Sequence, residues 1–251
     1  MTNQSNDFDN IYQLLKDLQN TISDNTKQLA TNDQLIINFI TTQSKIMYRQ
    51  IESLFSIYSL FNFRYPLPPM RGWPISPDFG QLLIAHILKY KPNMIFECGS
   101  GISTILCGYA LDKIGKGKII SLDHEEIFSK KTIDDLSLHQ LQSEINVIYA
   151  PLCNVQINQT NWQWYDLNKV KPFPLIDMLI VDGPPSTLQK HARYPALHLL
   201  RKYFSEDITI FIDDAGRKEE QEFINLWLNE FPEFKFETIE TEKGVAILKR
   251  R

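Results

Sequence analysis

Carboxylates follow two of the most apolar segments of the chain. Asp182 is the last residue of the segment 176–182, and Asp213 and Asp214 are the last two residues of the segment 208–214. Such apolar runs are typical of buried parallel strands, whose carboxyl ends meet at one edge of a sheet. Three carboxylates gathered at that edge repel one another unless a cation lies among them. The sequence therefore predicts a divalent metal site, with Mg²⁺ the simplest candidate, although each carboxylate taken singly is more typical of a turn or a helix cap.

A strand, a glycine turn and a helix follow one another directly in the middle of the chain. Residues 94–96 are apolar, residues 97–101 read Glu-Cys-Gly-Ser-Gly, and a helical pattern runs through residues 103–111. Glycines let the backbone approach a ligand closely, and a helix N-terminus favours anionic groups. We therefore expect a cofactor to lie across this turn. Its predicted contacts here are Glu97, Gly99, Ser100, Gly101 and Ser103.

Further cofactor contacts are predicted where the next two strands end. Residues 117–123 form a strand that closes with Asp123, about 20 residues beyond the glycine turn, where doubly wound folds place an acid that binds a ribose diol. We expect His124 to pack beside the cofactor. Residues 145–149 predict the third strand, and Pro151 and Leu152, which follow it, should border the adenine side of a cleft that binds a nucleoside cofactor.

His191 and Arg193 follow Asp182 closely and complete a predicted catalytic set with it. A histidine can act as a general base near neutral pH, and an arginine can hold an anionic group through two parallel hydrogen bonds. A histidine near the start of a helix is more often a surface or capping residue, so that alternative stays open.

The glycine turn resembles the Glu-x-Gly-x-Gly first motif of class I S-adenosylmethionine-dependent methyltransferases. Ser103 stands where many members of that family have a third glycine. Thr104 occupies the position of the glycine or alanine of a dinucleotide fingerprint, which disfavours a pyrophosphate. Glu97, ahead of the first glycine, instead suits a ligand that carries a positive amino group.

The second half of the chain extends this resemblance. Residues 71–251, with the segments 181–185 (Val-Asp-Gly-Pro-Pro), 192–196 (Ala-Arg-Tyr-Pro-Ala) and 213–217 (Asp-Asp-Ala-Gly-Arg), look like a bacterial branch of class I methyltransferases often linked with surface glycans. The carboxylates described above resemble the metal ligands of catechol O-methyltransferase-type enzymes and of magnesium-dependent macrolide sugar O-methyltransferases. The resemblance thus implies Asp182, Asp213 and Asp214 as metal ligands.

The resemblance implies an α/β fold with a Rossmann-like, seven-stranded and mostly parallel sheet that has a reversed C-terminal strand. The activity it implies is methyl transfer from S-adenosylmethionine to a hydroxyl of a sugar or glycan, assisted by Mg²⁺. Two alternatives remain open, namely a non-catalytic oligomeric scaffold on this fold and a dinucleotide-dependent oxidoreductase. The predicted domains are an N-terminal helical, coiled-coil-like segment (1–62), a proline-rich linker (63–75) and the methyltransferase domain (76–251).

A heptad pattern runs through residues 8–62, which carry almost no glycine or proline. It predicts a homo-oligomer, and its polar layers are of the kind that fix register or copy number. The alternative is a helical hairpin folded on the domain, broken near residues 23–25 or 31–33. The predicted a positions are Leu15, Ile22, Leu29, Ile36, Gln43, Gln50 and Ile57, and the d positions are Ile11, Leu18, Asn25, Asn32, Phe39, Ile46, Ser53 and Leu60.

Two further segments carry structural predictions. Residues 158–174 are polar and aromatic with little periodicity, which predicts a long loop. Its rings at Trp162, Trp164 and Tyr165 either contact the substrate or simply pack against the domain, and both alternatives stay open. Residues 191–203 predict a helix between the fourth and fifth strands.

Composition excludes several classes of protein. The chain has 251 residues, of which 43% are hydrophobic, and a formal net charge of −4, so a basic surface for nucleic acid is not expected. Its N-terminus lacks the features of a signal peptide, and no apolar run approaches the ~18 residues of a membrane span. The three cysteines lie in apolar runs, which favours reduced thiols. We expect a cytoplasmic protein that acts on a small molecule or a glycan.

Overall fold

The computed structural model describes the backbone over residues 3–250 and the side chains from residue 12 onward. Outside the described residues lie residues 1, 2 and 251, at the outer ends of the predicted domains, and the side chain of Ile11, a predicted heptad position.

The first element is α1 (Asn3–Leu60), a single continuous helix. The alternative of a hairpin broken near residues 23–25 or 31–33 is therefore wrong, because helix-capping residue types there are not accompanied by glycine or proline.

Contacts divide the chain into two units, the first ending at Tyr48 and the second beginning at Arg49. The last turns of α1 therefore belong to the second unit. Within that unit Ile57 is fully buried, Gln50 Nε2 donates to Asp78 Oδ2 at 2.8 Å, and Ser53 Oγ donates to Gln81 Oε1 at 2.8 Å. These three heptad positions are thus occupied by contacts within the second unit, and Gln50 and Ser53 bond to the helix at Pro77–Tyr90.

Nine strands lie within the described residues, and seven of them form one sheet in the order β3-β2-β1-β6-β7-β9-β8. β9 runs antiparallel to both of its neighbours, whereas the pairs from β3 through β7 are parallel. The predicted seven-stranded sheet with a reversed C-terminal strand is confirmed. The strands are β1 (Met94–Cys98), β2 (Lys118–Asp123), β3 (Ile145–Tyr149), β4 (Leu152–Ile157), β5 (Thr160–Tyr165), β6 (Ile176–Val181), β7 (Phe204–Ile212), β8 (Phe234–Ile239) and β9 (Val245–Arg250).

The register of the central strands aligns the residues that follow them. Cys98 at the end of β1 pairs with Leu122 of β2 and with Val181 of β6, and Val181 pairs in turn with Ile212 of β7. Because these strands are parallel, the residues directly after them lie side by side along one edge of the sheet. The glycine turn and the predicted acidic residues therefore share that edge.

Five α-helices follow α1 in the part of the chain that the structure describes. They are α2 (Pro77–Tyr90), α3 (Ile102–Ile114), α4 (Glu126–Leu138), α5 (Pro195–Leu200) and α6 (Lys218–Glu230). The helix predicted over residues 191–203 is present but begins later, since α5 covers Pro195–Leu200 and a 3₁₀ turn follows at Arg201–Tyr203. His191 has a φ of 55°, which is incompatible with a right-handed helix, and Pro195 suits the first helical position.

The loop predicted over residues 158–174 is wrong in its first half. β4 and β5 form an antiparallel hairpin, a two-stranded sheet separate from the main one. Asn158 and Gln159 at its tip both have positive φ, as two-residue hairpin turns require. Trp164 and Tyr165 are almost fully buried, so packing of aromatic side chains stabilises a segment whose polar composition suggested a loop. Among the described residues, no helix has the length and apolar character needed to cross a membrane.

Candidate functional site

The glycine turn brings the ends of β1 and β6 into close contact. Gly99 has a φ of 101°, and a Cβ on it would lie 3.3 Å from both the Asp182 carbonyl carbon and the Gly183 nitrogen. A larger residue at this position would therefore be strained and crowded. A Cβ on Gly101 would meet nothing within 4 Å. The fold itself thus requires glycine at position 99, whereas the space beside Gly101 is open to a ligand.

Glu97 lies beneath this turn and is fully buried. Its Oε2 accepts hydrogen bonds from Thr104 Oγ1 at 2.5 Å and from Ser121 Oγ at 2.6 Å, and Thr104 Oγ1 accepts one from the Gly101 amide at 3.0 Å. Oε1 has no hydrogen-bond partner among the described residues. Burial raises the pKa of Glu97, and neighbouring hydroxyls partly offset the rise. The carboxylate therefore supports the turn and keeps one oxygen for another partner.

Asp123 is joined to the glycine turn by a direct hydrogen bond. Ser100 Oγ donates to Asp123 Oδ2 at 2.8 Å, and the Glu125 amide donates to Asp123 Oδ1 at 3.1 Å. His124 Nδ1 lies 3.8 Å from Asp123 Oδ1. These contacts bring together the predicted ribose-binding acid and the predicted cofactor turn.

The predicted border of the adenine lies beside the same strand. The Ala150 amide donates to the Asp123 carbonyl at 2.7 Å, so the chain passes the end of β2 immediately before Pro151 and Leu152. Both of these residues are partly exposed. Ser103 is buried in the first turn of α3.

The three predicted metal ligands form a cluster at the adjacent part of the edge. One carboxylate oxygen from each of Asp182, Asp213 and Asp214 lies within 4.8 Å of the others. Asp213 is fully buried and the side chain of Asp214 is 5% exposed, whereas that of Asp182 is 17% exposed. Burial raises the pKa of Asp182 well above its ordinary value, and burial together with Asp214 raises that of Asp213 to about 6.

Arg193 supplies a cation to this cluster from within the chain. Its Nη2 lies 2.8 Å from Asp214 Oδ2 and 3.2 Å from Asp182 Oδ1, and it also donates to the Asp182 carbonyl at 2.9 Å. Its Nη1 donates to the Asp213 carbonyl at 2.8 Å. The predicted clamp on an external anion is therefore engaged by the protein's own carboxylates, which lie on both sides of it.

Two other cations border the cluster. Arg217 Nη1 lies 3.0 Å from Asp214 Oδ2, and Lys243 Nζ lies 3.8 Å from Asp213 Oδ2. Lys243 Nζ also donates to the Pro74 carbonyl at 2.8 Å. Lys243 thus connects the proline-rich linker and the turn between β8 and β9 to the acidic edge.

The donor atoms left over fit a cation that prefers oxygen. Both carboxylate oxygens of Asp213 and Oδ1 of Asp214 are buried without a hydrogen-bond partner among the described residues. Such oxygens are the usual ligands of Mg²⁺, which binds through one or two carboxylates and completes its shell with water or substrate oxygens. These three oxygens are therefore the candidate ligands for a metal ion.

His191 lies apart from these contacts. Its Nε2 is 2.9 Å from Glu222 Oε2 on α6, and its amide donates to Glu219 Oε1. The hydrogen bonds of its ring and its amide therefore tie His191 to α6 and not to Asp182 or Arg193.

Several residues at this edge were not singled out from the sequence. Thr104 was noted only as the absent glycine of a dinucleotide fingerprint, although its position three residues after Gly101 is where a helix-capping side chain bonds back to the turn. Lys243 is separated from Asp213 by α6 and β8, so no local pattern connects them. Tyr165, by contrast, lies in the segment whose aromatic rings the sequence indicated as candidate substrate contacts.

Comparisons with known proteins identify the fold. No protein-family model and no curated protein matches the chain. Among solved structures, the Podospora anserina methyltransferase PaMTH1 with bound S-adenosylhomocysteine aligns with a TM-score of 0.57 at 15% identity, covering 81% of this chain and 88% of that one. An O-methyltransferase from Bacillus cereus in complex with S-adenosylhomocysteine gives a TM-score of 0.56 at 15% identity, covering 81% and 91%.

A third structure is TomG from Streptomyces achromogenes, an O-methyltransferase involved in tomaymycin synthesis, in complex with S-adenosylmethionine. It gives a TM-score of 0.55 at 16% identity and covers 71% of this chain and 82% of that one. All three resemble the chain in fold at low sequence identity. The chain therefore has the α/β fold of S-adenosylmethionine-dependent methyltransferases.

Proposed function

We propose that the chain is an S-adenosylmethionine-dependent O-methyltransferase. The observation that carries the proposal is the hydrogen bond from Ser100 to Asp123, which joins the glycine turn to the predicted ribose-binding acid. The acidic cluster of Asp182, Asp213 and Asp214 lies along the same edge of the sheet, where α/β folds bind their ligands. This arrangement supports a cofactor site with a polar site for its acceptor beside it.

The contacts of the predicted cofactor-binding residues support the roles that the resemblance implies for them. The backbone of Gly99 and Gly101 borders the methionine portion, Asp123 accepts hydrogen bonds from the ribose hydroxyls, and Oε1 of Glu97 interacts with the amino group directly or through water. Pro151 and Leu152 border the adenine. S-Adenosylmethionine supplies a methyl group already activated by its sulfonium, so the protein's main tasks are positioning and proton removal.

Asp182 is the proposed proton acceptor for the attacking hydroxyl. It is the most exposed of the three clustered carboxylates, and Arg193 holds its Oδ1 in place. His191, the other candidate base, is less suited to this role because its ring pairs with Glu222. Arg193 fixes the orientation of Asp182 and Asp214 together and offsets the repulsion between them.

A divalent metal ion, with Mg²⁺ the simplest candidate, is proposed to bind through Asp213, Asp214 and Asp182. The unpartnered buried oxygens of Asp213 and Asp214 support this assignment. When bound, such an ion lowers the pKa of a hydroxyl and orients it. The proposed acceptor is a hydroxyl of a sugar or glycan, and this choice rests on the resemblance of residues 71–251 to a branch of methyltransferases linked with surface glycans.

Self-association through α1 is proposed for residues 12–48. The apolar heptad positions in this range are largely exposed within the first unit, Leu15, Leu18, Ile22, Leu29, Ile36 and Phe39 being each more than half exposed. Leu35 and Ile40 at the flanking g and e positions are equally exposed, which widens the apolar face. Charged residues are nearly absent from the e and g positions, so identical helices would meet without like-charge repulsion.

Isothermal titration calorimetry with S-adenosylmethionine tests the proposed activity. We expect binding at micromolar concentration, and Asp123→Asn should weaken it by about tenfold because a charge-assisted hydrogen bond to the ribose is lost. Glu237→Gln on the exposed face of β8 is the matched control and should bind normally. No binding at tens of micromolar would favour the scaffold, and binding of a nicotinamide dinucleotide instead would favour the oxidoreductase.

A further inference from the structure

Tyr165 is a buried tyrosine beside the proposed cofactor site, and no role has yet been assigned to it. It is the last residue of β5, pairs with Leu152 across the hairpin, and is 1% exposed. Its ring lies edge-on to His124, with the ring centroids 6.2 Å apart. The hairpin thus places a phenol beside the residues that follow β2.

The Tyr165 hydroxyl lies at the ends of β1 and β6. A Cβ added to Gly183 would collide with this hydroxyl, and it would also lie 3.3 Å from the Cys98 carbonyl oxygen and 3.3 Å from the Gly99 Cα. Side chains are absent from Gly99 and Gly183, so only backbone separates the hydroxyl from the cofactor turn. Both Asp123 and Asp182 are close enough to influence its ionisation.

The Tyr165 hydroxyl is a buried hydrogen-bond donor without an acceptor among the described residues. Burial raises the pKa of Tyr165 well above its ordinary value, with Cys98, Asp123 and Asp182 adding to the rise, so the phenol stays protonated. Buried polar groups in folded proteins are nearly always paired, and an unpaired one commonly marks a ligand or a functional role.

We propose that Tyr165 is a cofactor-binding residue whose hydroxyl donates a hydrogen bond to a ribose oxygen of the S-adenosyl ligand. This assignment rests on the proposed function and extends it, because it adds a neutral donor to the ribose site opposite the acceptor Asp123. A ribose hydroxyl both donates and accepts, so a carboxylate and a phenol together satisfy it more fully than a carboxylate alone. The β4–β5 hairpin then acts as one wall of the cofactor cleft.

The test compares Tyr165→Phe with wild type by calorimetry against two ligands. The first is S-adenosylhomocysteine, and the second is its analogue that lacks both ribose hydroxyls. Phenylalanine keeps the buried ring and removes only the hydroxyl. We expect the variant to bind S-adenosylhomocysteine about tenfold more weakly than wild type and to bind the dideoxy analogue with the same affinity as wild type.

Tyr109→Phe is the matched control, since Tyr109 is also buried but its hydroxyl is hydrogen-bonded to His139 Nδ1, at a distance of 2.9 Å. Neither residue belongs to the proposed cofactor site. The control variant should leave both affinities unchanged. Normal binding of S-adenosylhomocysteine by Tyr165→Phe would overturn the assignment of Tyr165 and leave the proposed function standing. An equal loss of affinity for S-adenosylhomocysteine and for the dideoxy analogue would have the same consequence. Failure of wild type to bind S-adenosylhomocysteine would overturn the proposed function together with the assignment. Melting curves verify that each variant is folded.

Discussion

Arg193 Nη2 lies 2.8 Å from Asp214 Oδ2, with both side chains only 5% exposed. The guanidinium therefore occupies part of the space between carboxylates for which the sequence predicted a metal ion. A buried carboxylate cluster of this kind needs an internal cation, because like charges in a dry environment raise one another's pKa. Arg193 meets that need for Asp182 and Asp214, whereas the oxygens of Asp213 remain available.

Replacing Arg193 by methionine should destabilise the protein strongly. The substitution leaves buried carboxylates without their nearest cation, a change that typically costs about 3 kcal/mol and corresponds to a fall in Tm of about 10 °C for a domain of this size. Arg217→Met is the matched control, because Arg217 also pairs with Asp214 but is 52% exposed. It should cost less than about 1 kcal/mol. Thermal unfolding of the two variants at one pH measures the difference, and equal effects would contradict the role given to Arg193.

Removal of the Asp213 carboxylate should abolish metal binding. Both oxygens of Asp213 are buried and accept no hydrogen bond among the described residues, and their nearest cation is Lys243 Nζ at 3.8 Å, so they are the most available ligands in the cluster. Titration of the chelator-treated protein with Mg²⁺ should show one site in wild type and none in Asp213→Asn. Asp207→Asn, at an exposed position of β7, should retain the site. Methyl transfer that survives both chelation and Asp213→Asn would rule out a metal in the reaction.

The sequence predicted the sheet and its edge well because both depend on local signals. Apolar runs of strand length predicted β1, β6 and β7, and the parallel arrangement then placed Asp182, Asp213 and Asp214 together without any knowledge of contacts. The hairpin of β4 and β5 was missed because its aromatic residues are stabilised by packing in the core. Such packing depends on distant parts of the chain.

The partners of the predicted site residues were harder to predict than the residues themselves. Glu97 was recognised from its motif, yet its hydrogen bond with Ser121 joins two strands 24 residues apart in the chain. The pairing of His191 with Glu222 likewise depends on the packing of α6 and on the positive φ of His191, which no local sequence pattern predicted. Residue types predict chemistry, whereas the direction of a side chain is fixed only by the assembled fold.

Stability should fall as the pH is lowered from about 6.5 to about 4, in part through His86. Burial, with Lys249 and Lys89 nearby, lowers the pKa of His86 from 6.5 to about 4. In that range the unfolded chain binds a proton at this residue that the folded chain does not, so acidification favours unfolding. Urea unfolding of wild type at pH 7 and pH 5 should reveal the loss. His86→Phe, which retains the ring contacts with Tyr90 and Phe211, should lose less stability over the same interval. An unchanged pH dependence in this variant would assign the loss to other groups.

Disrupting the apolar face of α1 should dissociate the protein without unfolding its second unit. Leu29 and Ile36 are 63% and 55% exposed and occupy successive a positions of the heptad. A charged residue at such a position must be buried in a coiled coil, which is strongly unfavourable. Leu29→Asp with Ile36→Asp should therefore convert an oligomer into monomers in sedimentation velocity, and the α-helical signal should fall because a long isolated helix is only marginally stable in water. Lys27→Asp with Gln34→Asp, at the outward f positions, is the matched control and should leave the mass of the oligomer unchanged.

Wild type that sediments as a monomer at high micromolar concentration would contradict self-association. Binding of S-adenosylmethionine that persists in the monomeric variant would assign the cofactor site to the second unit alone.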